Sequence, residues 1–185
     1  MSISTALGIL YAVAQVLMPC LPPKPLSGKV LSTDRYLGKW YYVGVASWDE
    51  EDIESYKSVD NSVVELKEGE GHTLVMAGAL QQDGNCVNMA WTYYVDPKMD
   101  PVLTEGQENL GVFLDGNWMK CPNCMIIVKL HPSKGFLRIM LFARDKDTSA
   151  DLVKKFQKKL ECFYIIDKFV IAPRTKEFCK LEGTE

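Results

Sequence analysis

Only two histidines, His72 and His131, occur in the 185 residues. That scarcity leaves no histidine-rich metal centre and no Ser/His/Asp constellation in view. Positive charge is not in excess either. The chain has 21 Lys and Arg against 24 Asp and Glu, a net charge of −3. Nucleic acid is therefore excluded as a partner, because neutralising phosphates takes clustered cations. No N-x-S/T sequon occurs, so no N-linked glycan is expected. Tandem repeats, low-complexity tracts and phosphate-binding glycine loops are also missing. The longest uncharged apolar run, Ile3 to Met18, falls short of the roughly 20 residues that cross a bilayer. No enzyme, cofactor or metal site is expected, and the chain is not read as membrane-spanning.

Apolar content of 47% with 24% charged residues describes an ordered chain, long enough for one well-cored domain. The run Ile3–Met18 ends at Pro19-Cys20-Leu21-Pro22-Pro23, and Ala12-Val13-Ala14 offers a small-x-small cleavage site before Gln15. Residues 1–21 are thus expected to be a secretory signal peptide or, if uncleaved, a retained N-terminal lipid anchor. Residues 22–185 form the domain. The expected location is secreted and extracellular, where six cysteines become three disulfides.

After an irregular stretch at 22–36, β-type segments alternate with turn residues. Strands are expected at 39–47, 61–67, 72–80, 86–95, 102–106, 110–118, 124–131 and 136–144, with a short acidic turn or helix through Asp49–Glu54. Asp83-Gly84 is a hairpin signal. One segment has helical periodicity: Leu152, Val153, Phe156 and Leu160 make an apolar stripe. Thr148 and Asp151 resemble a capping box at its start. A last strand is expected at 165–171. Eight antiparallel strands suit a closed up-and-down barrel able to hold one small ligand, with the helix packed outside. The Cys…Trp…Cys spacing of an immunoglobulin sandwich is not evident.

Gly38-Lys39-Trp40 opens the first strand. Glycine permits a tight entry and tryptophan supplies bulk to plug a barrel end. This G-x-W triplet is similar to the opening signature of the lipocalins. Leu37–Tyr41, Val59-Asp60-Asn61, Asp83–Val87, Leu103–Gly106, Cys121-Pro122 and the segments around Cys162 and Cys179 resemble, within them, the apolipoprotein M family, over about residues 20–181. The usual T-D-Y motif is missing. The resemblance implies that Arg144 lies over Trp40. It also implies the bridges Cys20–Cys162 and Cys86–Cys179. Cys121 matches one member of the family's third pair, whose partner is absent here; Cys124 remains, so Cys121–Cys124 is expected. A redox C-x-x-C or half a zinc site is the other reading of that motif.

Alternation divides the strands by face. Arg138, Met140, Phe142 and Arg144 share one face, expected to be interior; Leu137, Ile139 and Leu141 share the other, expected under the helix. Met89, Trp91 and Tyr93 form a second interior row, and Trp40, Tyr42, Gly44 and Ala46 a third. Arg138 on an apolar face needs a carboxylate, with Glu65 and Glu105 as internal candidates, or a ligand anion. The resemblance adds that Met89, Gln107 and Arg138 stand where the family holds the phosphate of sphingosine-1-phosphate, with Trp91 beside them. Only one of the three is basic here, which suits a fatty acid or retinoid-like ligand better than a phosphate dianion. The expected function is carriage of a small lipophilic ligand by a monomer, in association with lipoprotein particles. The alternatives are a xenobiotic- or toxin-scavenging lipocalin and a lipocalin-fold isomerase using a pocket cysteine.

Overall fold

The computed structural model describes residues 20–181 apart from 22, 107, 108 and 166. The expected leader or anchor over 1–21 falls, but for Cys20 and Leu21, outside the described residues, and so does Gln107. A short helix α1 (Gly28–Leu31) precedes β1 (Gly38–Ser47) and α2 (Glu50–Lys57). Then come β2 (Val59–Glu68), β3 (Thr73–Gln82), β4 (Asn85–Tyr94), β5 (Val102–Glu105), β6 (Asn109–Asp115), β7 (Cys124–His131) and β8 (Gly135–Ala143). Helix α3 (Ala150–Leu160) and β9 (Phe169–Ile171) follow.

From β1 to β8 each strand pairs antiparallel with the next, and β8 closes back on β1, which also takes β9. The result is an eight-stranded closed barrel. Closure removes the exposed edges that would otherwise invite other chains to pair. The seam is shared along β1. Gly38–Tyr41 pair with β2, whereas Gly44–Ala46 pair with β9. At the changeover lies a β-bulge between Tyr42 and Gly44.

The bulge corrects the face reading of β1. An inserted residue reverses the alternation beyond it. Trp40, Tyr42 and Val45 face the interior, while Val43 and Ala46 join the outer layer. Gly44 abuts β9: an added Cβ there meets Ile171 Cδ1 and the Val170 carbonyl oxygen, each at 2.7 Å. Gly44 and Ala46 are therefore not interior residues.

Two apolar layers result. Inside, Trp40, Leu66, Leu74, Tyr93, Leu103, Phe113 and Met125 are fully buried. Outside, Phe156 and Leu160 of α3 cover Ile126, Ile139 and Leu141. The N-cap of α3 is Ser149, whose hydroxyl accepts from Leu152 N at 3.1 Å, rather than Thr148. Strand β6 ends at Asp115, short of the expected 118. Its carboxylate accepts from Asn117 N at 2.8 Å and starts a 3-10 turn, Gly116–Met119. Gly116 is obligatory there, since a Cβ would lie 2.2 Å from the Cys121 carbonyl oxygen. Three disulfides are present: Cys20–Cys162, Cys86–Cys179 and Cys121–Cys124. All six cysteines are thereby consumed.

Candidate functional site

One end of the barrel is sealed. The Trp40 indole donates to the Tyr36 carbonyl at 2.7 Å, and the Arg144 guanidinium lies 3.8 Å from the indole centroid. Arg144 also donates to three carbonyls, of Arg35, Leu37 and Lys39, at 2.6–2.7 Å. Gly38, at φ +88°, makes the turn into the strand beneath it. A planar five-donor cation is the one side chain that can both stack on an indole and hold three carbonyl groups.

Above this plug Leu66, Leu74, Leu103 and Met125 are fully buried, as are Tyr93 and Phe113, which meet edge-on with centroids 5.1 Å apart. Tyr93 also borders a cavity in the barrel. This cavity, of about 240 Å³, is walled by Tyr42, Met76, Trp91, Ile127, Met140 and Phe142. Its size lies just below the roughly 300–1,000 Å³ of common ligand pockets, which suits a slender molecule. Met89 stands at the rim, 43% exposed. Gly78 lets Trp91 lie across β3, because a Cβ would sit 2.9 Å from the indole. Helix α2 borders the cavity through Asp52, Ser55 and Tyr56. Asp49 caps it, accepting from Glu51 N at 2.9 Å.

The polar contacts differ from those expected. Arg138 pairs with Asp52 of α2 at 2.7 Å, not with Glu65 or Glu105. Glu65 lies 2.9 Å from Lys67, and Glu105 is engaged by Lys129. Lys129 escaped the sequence reading. It is the cross-strand neighbour of Arg138, its side chain is 6% exposed, and it also donates to the Tyr93 hydroxyl. Its signal lay in plain alternation: Met125, Ile127 and Lys129 occupy one face of β7, and the first two are interior. Burial lowers the Lys129 pKa from 10.5 to about 8, against the opposing pull of Glu105 and with a further push from Arg138. Desolvation likewise raises the phenols of Tyr42, Tyr56 and Tyr93.

Three buried polar atoms at this cavity make no hydrogen bond within the protein: Tyr42 OH, Asp52 Oδ2 and Arg138 Nε. Leaving such groups unsatisfied costs about 1–3 kcal/mol each. Among the described residues no group of three or more His, Cys, Asp or Glu side chains converges to hold a metal. Nor is any described helix long and apolar enough to cross a membrane.

A closed eight-stranded barrel with a tryptophan–arginine plug, a cavity toward the opposite end and one helix outside defines a lipocalin. The ApoM domain family matches residues 26–183. Apolipoprotein M of Rattus norvegicus and that of Mus musculus are each 26% identical to this chain over 158 residues, 80% of it and 77% of theirs. Two solved siderocalins share the fold, each with a TM-score of 0.65. Ex-FABP is 16% identical, covering 80% of this chain and 100% of its own; Q83 is 19% identical, covering 80% and 94%. The chain belongs to the ApoM domain family, that of apolipoprotein M.

Proposed function

We propose that this protein is an extracellular carrier that encloses the apolar part of one small lipophilic molecule in the barrel cavity. The observation that carries the reading is the cavity itself, about 240 Å³ walled by Tyr42, Met76, Trp91, Met140 and Phe142. A single hydrocarbon chain or a slender ring system matches that lining. Arg138, Trp91, Met89, Met140, Phe142, Tyr42 and, at the floor, Tyr93 are the residues assigned to contact it; Gln107 keeps its role only through the family resemblance. Sphingosine-1-phosphate, a fatty acid and a retinoid-like molecule are the ligands that the resemblance and the lone arginine suggest. The Asp52 partner of Arg138 weighs against the phosphate, whose charge of nearly −2 meets a guanidinium already neutralised.

Secretion is supported by the disulfides, which persist in oxidising compartments. Association with lipoprotein particles rests on family membership and on the apolar residues before Cys20. With every cysteine in a bridge, a thiol-dependent isomerase has no nucleophile to use. The deciding measurement is a lipid extraction and native mass survey of protein secreted from eukaryotic cells. A co-purifying single-chain lipophile at one per protein is the expected result. Protein that carries none and binds no apolar fluorophore overturns the reading.

A further inference from the structure

We propose that the cavity selects a ligand with a net-neutral head group, such as a glyceryl ester or a primary amide, rather than an anion. The inference rests on the carrier reading and specifies its ligand class. Its starting point is the charge balance of the interior. Arg138 and Lys129 are cross-strand neighbours on β8 and β7, and alone they would make an anion site. Two carboxylates prevent that, each arriving from a different element. Asp52 comes from α2 and Glu105 from β5, so each of these two cations has its own counter-charge. An entering carboxylate or phosphate must then displace Asp52 or remain uncompensated in a poorly hydrated space, and both outcomes are unfavourable.

Nor is a spare donor open to an anion: Arg138 Nε and the Tyr42 hydroxyl, both without a partner, are fully buried and out of reach of the open space. The apolar tail then runs over Trp91, Met140 and Phe142.

The test is displacement of a bound naphthylamine fluorophore by chain-matched competitors, monomyristoylglycerol and myristate, at pH 7.4. Wild-type protein is expected to take the glyceride about tenfold more tightly than the acid. Asp52→Asn, which removes the counter-charge of Arg138, is expected to narrow or invert that ratio by tightening the acid about tenfold. Equal or tighter binding of myristate by wild-type protein overturns the inference while leaving the carrier reading intact. An unchanged ratio in Asp52→Asn overturns it as well. Failure of the fluorophore to enter wild-type protein removes both readings at once. The wild-type ratio needs no variant, so a poorly folded Asp52→Asn does not rescue the idea.

Discussion

Lys129 and Arg144 are both partly desolvated cations, yet they act in opposite ways. Arg144 replaces lost water with three carbonyl oxygens and an indole face. Arg144→Ala is expected to cost about 2–3 kcal/mol in a urea titration, through hydrogen bonds to a charged group and the lost cation–π contact. Lys129 pays more for burial than Glu105 returns, and its pKa drops to about 8. The unfolded chain, at the ordinary 10.5, therefore holds a proton that the folded protein sheds between pH 8 and 10.5. Bound protons in the unfolded state exceed those in the native state across that window, so stability rises with pH there. Relative to Lys129→Met/Glu105→Leu, the wild type is expected to gain about 1–2 kcal/mol between pH 7.5 and 9.5, read from denaturation midpoints. A difference that is flat with pH counts against the assignment. Lys129→Met alone strands Glu105 and is expected to cost about 3–5 kcal/mol at pH 7. Gly78→Ala is expected to shift Trp91 into the cavity and weaken a bound fluorophore, with a changed tryptophan emission as the direct readout.

Among the elements, the ones that could be read from sequence are those governed by local periodicity. The hairpin at Asp83-Gly84 joins β3 and β4, whose bounds lie within a residue or two of the expected ones. Helix α3 follows its Leu152–Leu160 stripe for the same reason. Alternation on β8 sends Arg138, Met140 and Phe142 inward and Ile139 and Leu141 outward. What escaped was non-local. The bulge at Tyr42/Gly44 arises because β1 must leave β2 and accept β9, and no residue in β1 itself announces a partner more than a hundred positions away. The Asp52–Arg138 pair needs α2 to fold over the mouth, a tertiary fact hidden behind an ordinary acidic stretch. The sequence places the cap of α3 at Thr148, one residue before the observed Ser149, since both residue types are competent caps. Ser149→Ala is accordingly expected to cost about 1 kcal/mol and Thr148→Ala less, with thermal melts followed by circular dichroism separating the two.

At the scale of the whole molecule, a barrel that keeps a cavity inside forgoes some core packing, and the two long bridges fasten the segments before and after it. Cys20–Cys162 closes a separation of 142 residues and fastens the entering chain beside α3. Cys86–Cys179 spans 93 residues and fixes the C-terminal tail to β4, while Phe178 of the same tail meets Tyr41 of β1 edge to face at 5.1 Å. Asp60 holds the same tail, accepting from Thr175 N at 3.0 Å and Lys176 N at 2.9 Å. Cys121–Cys124 spans three positions and restricts only the turn around Gly116. Loop-closure entropy grows with the logarithm of loop length, giving about 5 kcal/mol for each long bridge and under about 2 kcal/mol for the short one. Paired Cys→Ser variants should rank accordingly in thermal denaturation: removing Cys121–Cys124 lowers the midpoint least, and removing either long bridge lowers it about two to three times as much. Ligand binding separates the two long ones. The Cys86–Cys179 bridge begins in β4, three residues before the rim residue Met89 and five before Trp91, so its loss is expected to loosen the cavity wall and weaken fluorophore binding. Cys20–Cys162 is anchored away from the cavity lining, and its loss is expected to lower stability while leaving the affinity of the remaining folded protein unchanged. Equal loss of affinity in both variants would show that the cavity depends on global stability rather than on its own wall.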